Sequence, residues 1–463
     1  MTNSTIDIAA KNKRRRSIYS FLGSLIVALS LTFVLREPGF TDSQVYVLFL
    51  LFFAIGLWIT EAIPAFAVSL FIIAFLVYTF GNPNLNSAPE KIDRYVNTFA
   101  SSVIWLLLGG FFMAAAMTKT GLDKRLLSLT LKMSGTKPTN ILIAVMFTTM
   151  TFSMLMSYAA TTAMVVAAML PLLHSLGKSN TSKALLLGIS TSAAVGGMGT
   201  IIASSTNAVS AGLLEDSGII IDFFKWLKYG LPITLLLTII CCIVLNRLFI
   251  KNAERVSLEF MHKDSGGSKE STTQRIIVMA IIIVTVLFWM TTSVHGIKTA
   301  AISAIPIVGL TVTSVLTKDD LKHMPWDTLL LVAGGLSLGE AIESTAILDH
   351  YTMPLRNMNI SPFFMMLILC YIAMLFSNIA SNIAAVMLLV PLGMTLLPAY
   401  KAEVAIALAL SSSSCIFLPI STPPNVIVYS TGLLKQKDFR IGGLIVGILG
   451  PLLAVLWVMF IHR

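Results

Sequence analysis

The chain has 463 residues, of which 56% are hydrophobic and only 12% charged, with a mean hydropathy of +0.86. A soluble domain carries about 25% charged residues, so this composition excludes a soluble globular protein and assigns the chain to a bilayer. The net charge of +10 does not point to nucleic acid, because the basic residues flank apolar runs, starting with Lys11, Lys13, Arg14, Arg15 and Arg16 before the first of them.

Apolar stretches of spanning length recur from end to end and leave no room for a large soluble domain. The first span is expected at about 17–35; no small-x-small cleavage pattern follows it, so it reads as a retained helix. A second covers 43–59, and WITEAIP, Trp58 to Pro64, is a polar break before a third, AFAVSLFIIAFLVYTFG. Glu61 in that break reads as a capped interfacial carboxylate. The loop GNPNLNSAPEKIDR leads to a fourth span around VIWLLLGGFFMAAAM, followed by a basic amphipathic piece, TKTGLDKRLLSLTLKMSGTK. Residues 140–173 form an apolar segment interrupted by SMLMSYAATTAM. Residues 184–214 form another, broken at Gly196-Gly197 and at Ser204-Ser205-Thr206-Asn207, and 226–249 complete a first half. The polar stretch 251–275 reads as a loop. Beyond it the order repeats: spans near 276–292, 298–316 and 327–345, an interrupted segment at 362–397, a broken span at 402–432 and a last helix at 441–461.

The repeat is visible in residues. LLLGGFFMAAAMTKTGLD pairs with LLLVAGGLSLGEAIESTAILD, SMLMSYAATTAM with MLFSNIASNIAAVM, and GGMGTIIASSTNAVSAG with FLPISTPPNVIVYSTG. Interrupted segments at matching positions in two halves are the best sequence pointer to a carrier's binding site. Threaded from a cytoplasmic N-terminus with both interrupted segments as re-entrant hairpins, each half makes five crossings, and an odd number inverts the second half. This threading gathers Lys119, Lys124, Arg125, Lys132, Lys137, the 251–275 loop, Lys318, Lys322 and Lys435 to Arg440 on the inside, as the positive-inside rule asks. The fold class is an all-α polytopic membrane protein with an inverted repeat, two re-entrant hairpins and two broken transmembrane helices.

The chemistry concentrates in FSNIASNIAAVMLLVP, Phe376 to Pro391, which sets Ser377-Asn378 and Ser381-Asn382 inside an apolar hairpin. Such a cluster is tolerated at membrane depth only where protein buries it or it lines a cavity. Half-helix N-termini at a hairpin tip offer free N–H groups and a partial positive charge, which suit an anion. Pro423 and Pro424 withdraw backbone donors and release carbonyls, which suit a cation. The plainer reading of Ser, Thr and Asn in membrane helices is interhelical hydrogen bonding, and for Thr161 and Thr162 the two readings weigh equally. The glycine pairs Gly109-Gly110 and Gly334-Gly335 read as close helix contacts, and Cys241, Cys242, Cys370 and Cys415 as buried thiols. Six histidines lack metal-ligand spacing, and no HExxH, GxSxG or phosphate-cradling loop appears. The chain is not read as an enzyme.

From about residue 44 to 461 the sequence resembles the divalent anion/sodium symporter family. WITEAIP, LLLGGFFMAAAM with the following GLD, the two interrupted hairpins, GGMGTIIASSTN and STPPNVIVYSTG carry the resemblance in order. It implies an elevator-type homodimer in the plasma membrane. Residues 1–43 form the cytoplasmic basic N-terminus and first helix, 44–137 and 276–360 a scaffold, and 138–250 and 361–463 a mobile transport part, the repeats being joined by the cytoplasmic loop 251–275. It implies substrate contacts at Ser157, Tyr158, Ala159, Thr162, Thr206, Asn207, Ser381, Asn382, Ile383, Thr422 and Pro423. It also implies one sodium site at Ser377, Ala380, Asn382, Ser421 and Asn425, and a second, weakened one at Ser153, Ser157, Gly197 and Asn207. In the family each tip reads Ser-Asn-Thr. Here the second tip, Ser381-Asn382-Ile383, has lost the Thr, and the first, Ser157-Tyr158-Ala159, has lost both Asn and Thr. The Tyr158 phenol can donate to a carboxylate but is far bulkier. Weakened coupling at the first site makes exchange of C4 or C5 dicarboxylates (succinate, malate, fumarate, 2-oxoglutarate) the favoured mode. Sodium-coupled symport is the alternative, and citrate, sulfate or another divalent anion a further one. No cofactor is implied beyond sodium as a coupling ion.

Overall fold

The structure, a computed structural model, describes residues 3–86, 89, 91–250, 272–358, 360–379 and 381–462. Among the described residues every regular element is a helix, as a bilayer demands of a chain that must satisfy its own backbone polar groups. In the first half these are α1 (Asn3–Leu35), α2 (Asp42–Thr60), α3 (Ala65–Phe80), α4 (Ser102–Thr120), α5 (Leu122–Ser134), α6 (Pro138–Leu155), α7 (Tyr158–Leu176), α8 (Asn180–Gly196), α9 (Ser205–Asp216) and α10 (Phe223–Leu245). The second half has α11 (Thr272–Met290), α12 (Ala304–Val312), α13 (Trp326–Thr345), α14 (Ile347–Arg356), α15 (Pro362–Ile379), α16 (Asn382–Leu396), α17 (Lys401–Ser412), α18 (Pro423–Ser430) and α19 (Phe439–His462). Nine helices among the described residues are long and apolar enough to cross a membrane, and up to 11 spans result if two bent pairs each count as one.

Local chemistry sets the boundaries. Thr41 and Gln44 form a capping box at the start of α2 (3.2 and 3.0 Å). The WITEAIP break is that helix's end: Glu61 takes the left-handed conformation, φ 49°, and Pro64 then starts α3. Gly121, φ 62°, does the same between α4 and the amphipathic α5. The first helix of the second half begins at Thr272, four residues ahead of the expected 276, so residues 272–275 are helix and not loop; residues 251–271 lie outside the described residues.

Two packed groups result. In one, α3 crosses α13 so closely that a Cβ on Gly334 would lie 2.5 Å from Ser69 Cα, while α4 packs on α11 and α12. In the other, α6 to α10 interlock with α15 to α19, and α9 and α16 carry contacts to α13 and α14. Lys119 Nζ lies 2.6 Å from Asp320, and Arg275 Nε donates to Thr120 O at 2.9 Å, so the end of α4 lies against the start of α11 and the segment before α13. Burial alone raises the Asp320 carboxyl, but hydrogen bonds from Lys119 and Thr317 outweigh it and hold the group below the usual carboxylate range.

Candidate substrate and cation site

The first hairpin is α6 and α7, turning at Met156 and Ser157. Ser157 caps α7, its Oγ accepting from Ala160 N at 3.3 Å. The second is α15 and α16, with Ser381 at the cap position but without a side-chain cap bond. Ser157, Tyr158, Ala159, Ser381, Asn382 and Ile383 are all half-buried, so both tips are accessible. Ala380 lies outside the described residues.

Each hairpin clasps the first half of its own broken span and touches the second half of the other. The arms α6 and α7 pack on α8, and α15 and α16 on α17, while α18 lies on α7 and α9 on α16. The two breaks meet directly: Thr206 Oγ1 is 3.3 Å from Ser413 Oγ, and Ser190 donates to Asn425 Oδ1. Ser210 Oγ donates to Ala405 O at 2.8 Å nearby.

A break leaves carbonyls without helical partners, and buried carbonyls must be satisfied. Asn207 and Asn425 do this in the same way. Asn207 Nδ2 donates to Gly197 O and Thr200 O, both at 2.8 Å. Asn425 Nδ2 donates to Ile416 O at 3.0 Å and Leu418 O at 2.8 Å. The resemblance made these asparagines ion or substrate ligands; in the structure their amides brace the breaks from within. Behind each break stands a glycine. A Cβ on Gly230 of α10 would lie 2.4 Å from Met198 O, and one on Gly443 of α19 would lie 2.4 Å from Phe417 Cα.

The breaks differ in what they leave over. In the first, Ser153 Oγ donates to Ala193 O (2.6 Å), Thr234 Oγ1 to Val195 O (3.1 Å) and Trp226 Nε1 to Met198 O (3.1 Å). Thr200 Oγ1 donates to Met154 O (2.6 Å), and Ser204 Oγ caps Thr206 N. In the second, the counterparts of Ser153 and Ser204 are Ser377 and Thr422. Their buried hydroxyl oxygens have no hydrogen-bond partner among the described residues, and neither has Ser412 Oγ. For Thr422 the reason is local: Pro424 stands at the position whose N–H Ser204 caps in the first break, and has none to give. Unpaired buried oxygens suit a hard alkali cation. The second break therefore offers hydroxyl oxygens that suit sodium, whereas in the first the carbonyls of Ala193, Val195 and Met198 already accept from Ser153, Thr234 and Trp226. Ser421 Oγ donates to Leu418 O at 2.8 Å, which leaves its lone pairs to face a cation.

The Tyr158 ring packs on Gly197 in the first break, where a Cβ would sit 3.1 Å from its Cδ1. Cys415 Sγ donates to Asn382 Oδ1 at 2.9 Å. The thiol thereby fixes the Asn382 amide with Nδ2 left to donate. Asn378 Oδ1 accepts from Phe417 N at 3.2 Å and ties the same hairpin to the same break. Nothing local in the sequence marks Cys415, because its partner is 33 residues away. Cys415→Ala is expected to raise the KM for substrate about fivefold with little change in kcat, the effect of one modest hydrogen bond. Cys415→Ser, which keeps a donor, is expected to stay within about twofold; transport kinetics in proteoliposomes check both.

Other expected residues are placed differently. Thr162 Oγ1 turns back on its own helix to Tyr158 O (2.7 Å), and the unpaired buried hydroxyl on that arm belongs to Thr161. Thr206 is engaged with Ser204 and Ser413, and Pro423 is exposed at the start of α18. Among the described residues no group of three or more His, Cys, Asp or Glu is placed to hold a metal ion.

Two hairpins whose tips meet at two crossed, broken helices inside a polytopic helical body define a secondary carrier. The family described as Sodium:sulfate symporter transmembrane region matches residues 16–462, and the chain belongs to it: it is a membrane transporter and not an enzyme. It is 24% identical to a protein of Staphylococcus saprophyticus called sodium-dependent dicarboxylate transporter SdcS, over 97% of this chain and 93% of that one. The fold is similar to that of the YdaH transporter of Alcanivorax borkumensis (TM-score 0.59, 11% identity, 86% of this chain and 98% of that one). It is also similar to MtrF of Neisseria gonorrhoeae (TM-score 0.58, 10% identity, 86% and 94%).

Proposed function

We propose that the protein carries C4 or C5 dicarboxylates across the plasma membrane, its N-terminus cytoplasmic, with the hairpin-bearing group of helices sliding as one body against the other group. The observation that carries this reading is that each half-buried tip lies on a break, Tyr158 on Gly197 and Asn382 on Cys415, and that the two breaks meet. Two donors on opposed helix N-termini suit an anion with a carboxylate at each end. The naming of relatives as sodium-dependent dicarboxylate transporters supports the substrate class. Substrate contacts fall to Ser157, Tyr158, Ser381 and Asn382, and the one cation position to the oxygens of Ser377 and Thr422 near the second break. With the carbonyls of the first break already accepting from Ser153, Thr234 and Trp226, exchange of one dicarboxylate for another is the favoured mode. A second reading, sodium-coupled symport, is favoured by the unpaired oxygens of the second break.

Uptake of labelled succinate in competition with malate, fumarate, 2-oxoglutarate, citrate and sulfate tests the substrate class. Inhibition by the linear dicarboxylates and not by sulfate is expected. Inhibition by sulfate alone would overturn the reading.

A further inference from the structure

We propose that the groove between α5 and α11 is a binding site for an anionic phospholipid. The two helices enclose about 760 Å³ of space. On α5 the groove face is Arg125, Leu129 and Lys132, spaced by four and three residues, so they share one side of the helix. The opposite side, Asp123, Leu127 and Leu131, is buried in the protein. On α11 the groove face runs from Arg275 through Ile276 and Met279 to Ile283. The result is polarised: cations from two helices line one part, and an apolar wall exposing Leu129, Ile276 and Ile283 (54%, 64% and 50%) lines the rest.

Charge complementarity and wall chemistry together choose the occupant. An exposed apolar trough between helices in a bilayer is filled by acyl chains, and basic residues at its mouth select a negative headgroup. A free phosphate would use Arg125 and Lys132 and leave the apolar wall uncovered; a zwitterionic lipid would use the wall and bring no net charge to Arg125 and Lys132. The position also gives the site consequence. The helix α5 is the connection from α4 to the hairpin arm α6 and packs against it, so a lipid held there braces the link into the hairpin-bearing body.

The test uses the full-length protein in a neutral detergent, exchanged into equal amounts of phosphatidylglycerol and phosphatidylcholine with matched chains. Retained lipid is read by native mass spectrometry. Arg125→Gln/Lys132→Gln is expected to lose phosphatidylglycerol about tenfold, each cation near a lipid surface being worth a several-fold factor. Ala280→Trp, which fills the apolar floor and leaves the charge intact, is expected to lose it as well. Lys124→Gln/Lys137→Gln removes the same charge from the same segment outside the groove and is expected to retain it. Three outcomes overturn the proposal. These are equal loss in the Lys124/Lys137 control, full retention in Ala280→Trp, or unchanged retention in Arg125→Gln/Lys132→Gln. The two groove variants are independent, so a folding failure in one leaves the other to decide, and neither depends on which anion is transported.

Discussion

Asn425→Asp is expected to abolish transport as fully as Asn425→Ala. The replacement is isosteric, keeps Oδ1 and puts an oxygen in place of Nδ2, so a residue acting as a cation ligand would tolerate it or gain affinity from the added charge. The structure assigns the side chain a different task. Its Nδ2 donates to Ile416 O and Leu418 O, and its Oδ1 accepts from Ser190 on the other half's broken span. Aspartate has no donor to give, so two buried carbonyls lose their partner and face a carboxylate oxygen instead. Each unsatisfied buried group costs about 1–3 kcal/mol, enough for two to displace the break and lower transport by roughly a hundredfold or more. The matching pair, Asn207→Asp and Asn207→Ala, is expected to behave alike, because Asn207 braces Gly197 O and Thr200 O in the same way. Transport rates and melting temperatures of the four variants check this; an active Asn425→Asp carrier with raised sodium affinity would contradict the bracing role.

Gly443→Ala is expected to be the second most damaging change. The new methyl would lie 2.4 Å from Phe417 Cα, and backbone cannot move aside as a flexible side chain can. Overpacking of this kind costs about 1–3 kcal/mol, and here the strain falls on the strand of chain that carries Cys415 and Asn425. Gly447→Ala, one turn along the same helix, meets Met374 Sδ at 3.5 Å, an ordinary contact, and serves as the tolerated comparison. A loss of at least tenfold in transport for Gly443→Ala, with Gly447→Ala near wild type, is the expected pair of results.

The architecture was legible because a bilayer makes polarity conspicuous. Ser381-Asn382, Gly196-Gly197 and Thr422-Pro423-Pro424-Asn425 interrupt apolar runs at matching places, and the structure turns or breaks the chain at each of them. The use made of those residues was not legible. Whether an asparagine side chain faces an ion or a carbonyl depends on where the chain goes after the break, and Asn207 and Asn425 both curl back onto it. The carbonyls of the first break are engaged by Thr234 and Trp226 from α10 as well as by Ser153, and no spacing within the hairpin motif shows that. Thr162 does not make the interhelical bond of the plainer reading, since its hydroxyl returns to its own helix. Gly230 and Gly443 resemble any other membrane glycine until the break is seen lying against them.

The two halves are unequal: the first break pairs its carbonyls with Ser153, Thr234 and Trp226, and the second leaves the hydroxyl oxygens of Ser377 and Thr422 unpaired among the described residues. The most direct measurement is uptake of labelled succinate into proteoliposomes, loaded with succinate or empty, in sodium-free and sodium-containing buffer. The account predicts that internal succinate accelerates uptake and that this exchange persists when sodium is absent. Uptake into empty liposomes that depends strictly on a sodium gradient, with no acceleration by internal succinate, would contradict it.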